Sequence, residues 1–491
     1  MRDTDVSLSH FPWHGPGALT DAPCIRDSRR ELSYAQLHLE SVAFAGQLAD
    51  QGINEGDVIA VMLPNSTELL VAILGAWLRG AAVTPINPTL TPREAEYQLR
   101  DSHARLLVGE GVEGSSLTVI GRDGMQRAPR DGAEDVTLAA DKDRIALIVY
   151  TSGSTGQPKG VVLDHANLDA MSTQIACHFR LSADDHALLV LPLFHVNSLC
   201  VSFLAPVSVG AQVTILERFS PAPFAESLAR HQPTYFSGVP AVFAHLLALP
   251  SEITLRHDRL RFAVCGAAPI SPELLARCES RFDFAIIEGY GLTEATCASA
   301  CNPIAGSRKP GSVGPALVGQ EIRIVDHRGH DVAPGERGEI LISGPTVMRG
   351  YLGRPDATAE TIADGWLHTG DVGTLDEDGY LRVVDRIKDM LIRGGENIYP
   401  KEIESFLATH PAVLEAAVVG RADEVLGEVP VAWVVTDALP GEITPEALTD
   451  FCRQGLAKIK VPVSIAFVDD LPRNAIGKVD KPAMRRALTA V

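Results

Sequence analysis

An α/β fold built on parallel sheets covered by helices on both faces is what this chain of 491 residues predicts. Three observations carry that expectation. Strand-like and helix-like runs alternate from Ser33 to Ile287, a rhythm that βαβ crossovers impose on parallel sheets. Clusters of glycine and small polar residues follow several of the strand-like runs, where open α/β sheets bind their ligands. From Gly306 to Asp385 the texture changes to short strands broken by glycine and charged turns, which predicts a small β subdomain.

The elements can be justified in order. Ser33 and Gln36 have capping-box spacing, and Tyr34, Leu37, Phe44, Ala45 and Leu48 recur at helical intervals up to Gly52. A strand follows at Val58 to Leu63, then a helix from Thr67 to Arg79 with Gly80 behind it, then a strand near Ala82 to Ile86. Thr91, Pro92 and Glu94 place a cap, an N1 proline and an N3 acid at the start of another helix. Ile145 to Tyr150 and Val161 to Leu163 read as strands on either side of a glycine-rich loop. Ala211 to Leu216, Thr234 to Gly238, Phe262 to Cys265 and Ala285 to Ile287 follow as strands, separated by helices starting near Ser220, Pro240 and Ser271. The basic, glycine-bearing segment Arg386 to Glu396 marks the main boundary, giving domains 1–385 and 386–491.

Composition bounds the function. With 46% hydrophobic and 21% charged residues the chain has the makings of a large core. The 62 acidic against 43 basic residues, a formal charge of −19, argue against a nucleic-acid partner and an anionic membrane surface. An anionic substrate would need local cations and backbone donors to overcome that field. Leu69 to Leu78 is too short to cross a bilayer, and Ala187 to Leu216 is broken by Pro192, His195, Asn197, Pro206 and Gly210. The N-terminus has no uninterrupted apolar run of the secretory type, so a cytoplasmic protein is expected. The eight cysteines show no C-x-x-C pair and are expected as buried free thiols.

Five clusters carry chemistry. The run Tyr150-Thr151-Ser152-Gly153-Ser154-Thr155-Gly156-Gln157-Pro158-Lys159-Gly160 lies between two strands and has the makings of a polyphosphate cradle. Its glycines let the backbone approach phosphate oxygens, its hydroxyls donate, and Lys159 supplies charge. It is not the common P-loop, because the lysine precedes Gly160 and a second apolar run rather than a helix. Gly266-Ala267-Ala268-Pro269 closes a strand with small residues suited to a flat base. Gly289-Tyr290-Gly291-Leu292-Thr293-Glu294 offers an aromatic face, a hydroxyl and a carboxylate. Trp366-Leu367-His368-Thr369-Gly370-Asp371 places an acid where it can accept from vicinal hydroxyls. Leu471 to Lys478 sets one lysine on a glycine-bearing loop. Singly, Tyr290 is more often a core aromatic, Asp371 a turn acid and Lys478 a solvated cation.

Together, in order and type, these clusters resemble the motifs of the adenylate-forming superfamily: acyl-CoA synthetases, firefly-type luciferases and nonribosomal-peptide adenylation domains. The resemblance extends roughly from Ser33 to Lys481. It implies a large N-terminal domain of two doubly wound α/β subdomains plus a β-barrel-like subdomain, with a small mobile C-terminal α+β domain. It further implies that Thr151, Ser152, Gly153, Ser154, Thr155, Gly156 and Lys159 hold the β- and γ-phosphates of ATP. Adenine would lie against Gly266, Ala267, Ala268 and Pro269 and the ring of Tyr290, flanked by Gly289 and Gly291. Thr293 would touch the α-phosphate, Glu294 would bind Mg²⁺, and Asp371 and Arg386 would hold the ribose. Lys478 matches the adenylation lysine, His195 the residue that gates the acyl pocket, and Lys388 the hinge about which the small domain swings. Gly394 and Gly395, in Gly-Gly-Glu-Asn, match the acyl-CoA synthetase form that lets the pantetheine arm of CoA pass.

The resemblance thus implies an ATP- and Mg²⁺-dependent acid–CoA ligase with a small-molecule acid, ATP and CoA as partners. A freestanding adenylating enzyme that loads a carrier protein is the alternative, and a homodimer is an admissible assembly. A nucleotide-sensing protein without catalysis is disfavoured by the presence of Lys478, Glu294 and Lys159. The segments expected to line the acyl pocket, His195 to Cys200, Ser237 to Val239, Gly266-Ala267 and Gly289 to Cys297, contain no Arg or Lys. A second substrate carboxylate would find no counter-charge there, so a medium or bulky, mostly apolar acid is expected, with Asn197 and Ser198 available to a hydroxyl or carbonyl.

Overall fold

In a computed structural model of the protein the chain forms two compact units. The structure describes residues 8–129, 141–151, 158–250, 253, 255–394, 396–436, 443–473 and 479–489. The first unit takes Met1–Ile270, Leu274–Ile322 and Ile342–His368; the second takes Ser271–Glu273, Arg323–Leu341 and Thr369–Val491.

Two sheets organise the first unit. In one, the strands run in the order Ala300–Cys301, Ile286–Tyr290, Phe262–Cys265, Tyr235–Gly238, His186–Leu189, Gln212–Ile215, Pro23–Arg26 and Glu31–Ser33. All are parallel except the two edges. The second sheet runs Gly350–Tyr351, Lys159–Asp164, Ile145–Thr151, Ala82–Pro85, Val58–Met62, Leu106–Gly109 and Thr118–Ile120. Its last five strands are parallel and its first two antiparallel.

The period of two along each strand shows that both faces are covered. Phe262 and Val264 join the main core with Ala187 and Leu189, while Ala263, Cys265 and Leu188 join a second cluster with Phe224, Phe243 and Cys278. On the second sheet Ile59 and Val61 face the main core, and Ala60 faces Ala95 and Leu99. That main core is shared by both sheets and by helices Tyr34–Asp50, Thr67–Leu78 and His165–His178. All 12 residues of Thr67–Leu78 are buried, which explains why so apolar a run is only a core helix. Among the described residues no helix is long and apolar enough to cross a membrane.

Both expected capping boxes form. Ser33 Oγ accepts from Gln36 N at 3.2 Å while Gln36 Oε1 accepts from Ser33 N, and Thr91 and Glu94 do the same behind the N1 proline. Such a cap is worth about 1 kcal/mol. Two sequence expectations need correction. Gly350–Tyr351, read as part of the small β subdomain, is instead an edge strand of the second α/β sheet, because its backbone pairs with Val161 and Val162. Of the eight cysteines, Cys177 is exposed and the other seven are buried.

In the second unit Trp366–Leu375 pairs antiparallel with Leu381–Arg386. A further sheet runs Glu396–Ile398, Leu391–Arg393, Gly427–Thr436 and Val413–Asp423, with Ser464–Phe467 parallel on Gly427–Thr436. Val418 and Val434 pack with Ile403, Leu407 and Leu448 on one face, and Ala417 and Val419 pack with Leu471 and Met484 on the other. Helices on both faces of a mostly antiparallel sheet make this an α+β unit.

Candidate active site

Four neighbouring parallel strands of the first unit end together, and the loops beyond them bring distant residues to one sheet edge. These loops hold Pro192 to His195, Ser237 to Val239, Gly266 to Pro269 and Gly289 to Glu294. Ser237 Oγ donates to Asn197 Oδ1 at 2.9 Å. A Cβ placed on Gly266 would stand 3.6 Å from Asn197 Nδ2 and 3.8 Å from the Gly289 carbonyl oxygen. The expected base-binding turn and the expected acyl-pocket residues therefore meet in one place. His195 enters this edge from a turn in which its N–H donates to Pro192 O at 3.1 Å, with its ring 4.5 Å from that of Phe194.

Two non-glycine residues at this edge take positive φ. Ala267, in the Gly-Ala-Ala-Pro turn, has φ +64°, and Thr296, directly after Glu294 and Ala295, has φ +66°. A β-branched residue in that region is an outlier that its surroundings must hold. Thr296 is held by Oγ1 donating to Thr346 O at 2.6 Å. Gly291 is obligatory for a different reason. A Cβ there would come 1.8 Å from the Cys297 carbonyl oxygen, so the motif tolerates no side chain at that step.

On the second sheet, Thr151 ends one strand and Lys159 begins the next, the two facing each other in register. Ser152, Gly153, Ser154, Thr155 and Gly156 lie outside the described residues. The flanks of the loop are pinned by a polar network that sequence reading missed. Tyr97 Oη donates to Pro158 O at 2.9 Å, Tyr150 Oη donates to Asp101 Oδ2 at 2.9 Å, and Arg354 bridges Tyr97 and Asp101 at 3.0 and 3.3 Å. Burial, then the Asp101 carboxylate, push the Tyr150 phenol above its usual value, so it stays a neutral donor.

Tyr351 was also missed. Its hydroxyl donates to Glu294 Oε1 at 2.9 Å, and Lys159 Nζ sits over its ring, 4.7 Å from the centroid. Glu294 Oε2 has no protein partner among the described residues, which leaves a hard oxygen free for a cation. Arg349-Gly350-Tyr351 offered no signal, since nothing local shows that a two-residue strand will pair with a segment almost two hundred positions upstream.

In the second unit, Asp371 and Arg386 face each other across the hairpin, with Arg386 Nε 3.1 Å from Asp371 Oδ1. Thr369 Oγ1 accepts from Asp371 N at 3.0 Å, and Gly370 takes φ +69°, open to glycine at little cost. Asp385 accepts from Arg386 N and Lys401 N at 2.8 and 2.7 Å. Burial raises its carboxyl above the ordinary value despite the nearby Lys481 cation. Lys388 lies in the 3₁₀ turn Ile387–Asp389. Gly394, at φ +59°, makes the hairpin turn between Leu391–Arg393 and Glu396–Ile398. Gly395 and Lys478 lie outside the described residues. Nearby, Lys460 is paired with Glu402 and Arg393 donates to Ile459 O.

A parallel sheet whose loops gather at its carboxyl edge, with a lysine and a carboxylate on one shared tyrosine, is the architecture of a ligand-binding α/β enzyme. Comparison with known proteins agrees with this. Residues 15–352 match the family model described as AMP-binding enzyme, and residues 402–478 match its C-terminal domain. The feruloyl-CoA synthase of Amycolatopsis sp is 37% identical over 471 residues, 95% of this chain and 96% of that protein. The ATP-bound MatB structure from Rhodopseudomonas palustris superposes with a TM-score of 0.90 at 32% identity, covering 98% of each chain. The Bacillus subtilis o-succinylbenzoate CoA synthetase MenE, solved with its acyl-adenylate intermediate OSB-AMP, gives 0.89 at 32% identity over 98% of each chain. Solved with ATP and magnesium ion, it gives 0.87 at 33% over 96% of this chain and 97% of that one. The chain belongs to the AMP-binding enzyme family, in the acyl-CoA synthetase branch of the adenylate-forming superfamily.

Proposed function

We propose that this AMP-forming acid–thiol ligase activates a bulky, largely apolar monocarboxylic acid, an aromatic acid being the leading case. ATP and CoA are its co-substrates and Mg²⁺ its cofactor. A carboxylate oxygen attacks the α-phosphorus of ATP, and the bond from that phosphorus to pyrophosphate breaks. The thiol sulfur of CoA then attacks the acyl carbon, and the bond to AMP breaks. The first step needs no general base, because the carboxylate is already a nucleophile; positioning and electrostatics supply the acceleration.

Roles follow the residues. Thr151, Ser152, Gly153, Ser154, Thr155, Gly156 and Lys159 take the β- and γ-phosphates, and Thr293 the α-phosphate. Gly266 to Pro269, Gly289, Tyr290 and Gly291 receive adenine, and His195 closes the acyl pocket beside the carboxylate. Asp371 and Arg386 take the ribose hydroxyls, Lys478 bridges carboxylate and α-phosphate, and Gly394 and Gly395 border the pantetheine path. Residues 1–385 and 386–491 act as the adenylating body and the lid that turns at Lys388. Mg²⁺ suits Oε2 of Glu294, and when bound it would neutralise charge on the phosphates. All these roles fall within one chain, so a homodimer would duplicate the site rather than complete it.

The observation that carries the choice of acid is the meeting of Asn197, Ser237, Gly266 and Gly289 at one edge, on segments without Lys or Arg. A buried second carboxylate there would lack a counter-ion. Relatives that are a feruloyl-CoA synthase, 2-succinylbenzoate CoA ligases and an anthranilate CoA ligase support an aromatic acid. A panel of aromatic, medium-chain and short acids, assayed for AMP release with and without CoA, should show bulky apolar acids turned over best, with acyl-CoA as the product by mass. Clear preference for acetate or malonate would refute it. Transfer to a carrier-protein thiol but not to CoA would select the alternative acceptor.

A further inference from the structure

We infer that Tyr351 is a positioning residue that holds Lys159 and Glu294 apart, so that the phosphate-binding cation and the metal-binding carboxylate do not neutralise each other before nucleotide arrives. This rests on the MgATP roles proposed for those two residues.

Both charged groups touch the same side chain on different surfaces. Glu294 Oε1 takes the hydroxyl hydrogen at 2.9 Å, and the Lys159 ammonium lies over the ring face at 4.7 Å. Neither is ion-paired to any side chain among the described residues, and they are not paired to each other. Two opposite charges brought to one phosphate site would otherwise be expected to collapse together, since their attraction strengthens where water is partly excluded. An aromatic ring prevents contact while still attracting the cation, and a phenol fixes the carboxylate without adding charge.

The backbone fixes this spacer firmly. Tyr351 pairs with Val161 two residues beyond Lys159, and Leu352 N donates to Gly160 O at 2.8 Å. Tyr351 N donates to Thr358 Oγ1 at 2.9 Å. Gly350, at φ +142°, admits that close approach, because a Cβ would lie 2.6 Å from the Thr358 methyl. The ring is thus tied to the strand that starts with Lys159, and its hydroxyl reaches the loop that carries Glu294.

The test measures equilibrium ATP binding by calorimetry, at fixed ATP over a Mg²⁺ series, and without added Mg²⁺. Tyr351→Phe keeps the ring and removes the hydroxyl. It should raise the Mg²⁺ midpoint roughly three- to tenfold while leaving Mg²⁺-free ATP binding within twofold of wild type. Tyr351→Leu removes the spacer and should weaken both kinds of binding by an order of magnitude or more. Adding Glu294→Gln to Tyr351→Leu removes the competing charge and should restore much of the Mg²⁺-free binding, a rescue that a merely destabilised fold would not show. Unchanged Mg²⁺ midpoints in Tyr351→Phe, or no rescue in the double variant, would overturn the inference. Failure of the wild-type protein to bind MgATP at all would instead overturn the ATP roles beneath it.

Discussion

Lys478→Ala is expected to slow acyl-adenylate formation by about 10²–10³-fold, the loss typical when one fixed electrostatic group is removed from a transition state. Negative charge on the attacking carboxylate and the α-phosphate must be brought together before the new bond forms. In a protein of formal charge −19, one cation delivered to that point does work that the global field opposes. The described residues on either side of it are well anchored: Leu471 is buried, Asp480 N donates to Pro472 O at 2.7 Å, and Arg473 and Val479 bridge to each other. Pyrophosphate exchange should therefore fall steeply, while thioester formation from synthetic acyl-adenylate stays within a few-fold of wild type. Equal loss of both half-reactions would refute a role for Lys478 confined to the adenylation step.

The second large effect is expected from Lys388→Pro, which should spare pyrophosphate exchange and lower transfer to CoA by about 10²-fold, because hinges act through a few backbone dihedrals. Proline fixes φ near −65°. That angle suits the 3₁₀ turn Ile387–Asp389 but removes the freedom to leave it. Stopped-flow measurement of the two half-reactions separates the outcomes. If both fall together, the swing at Lys388 is not what divides them. Lys478→Ala and Lys388→Pro are thus expected to fail at opposite halves of the reaction, a contrast that a general loss of stability would not reproduce.

Much of the fold is legible locally. The helices Tyr34–Asp50 and Pro92–Asp101 begin at the capping boxes that Ser33 and Thr91 announce. The apolar run Thr67–Leu78 ends ahead of Gly80, and the strands Val58–Met62 and Phe262–Cys265 coincide with β-branched or aromatic runs. These signals depend on hydrogen bonds and periodicities within a few residues, which a sequence displays directly. The nucleotide motifs are legible for a related reason: glycine where backbone must pass, as at Gly291, and small polar residues after strand ends.

Composition, spacing and local chemistry were enough to determine the α/β class, the caps and the glycine-bearing loops, whose motifs carry the resemblance to the adenylate-forming superfamily. Only the tertiary structure decided which strand neighbours which, that Gly350–Tyr351 completes the sheet of Lys159–Asp164, and that Asn197 meets Ser237 and Gly266. Only there does Tyr351 touch both Lys159 and Glu294. The reason is physical: such contacts join residues dozens to hundreds of positions apart, and their geometry is set by sheet register and shared core packing, for which no single short segment carries a signal.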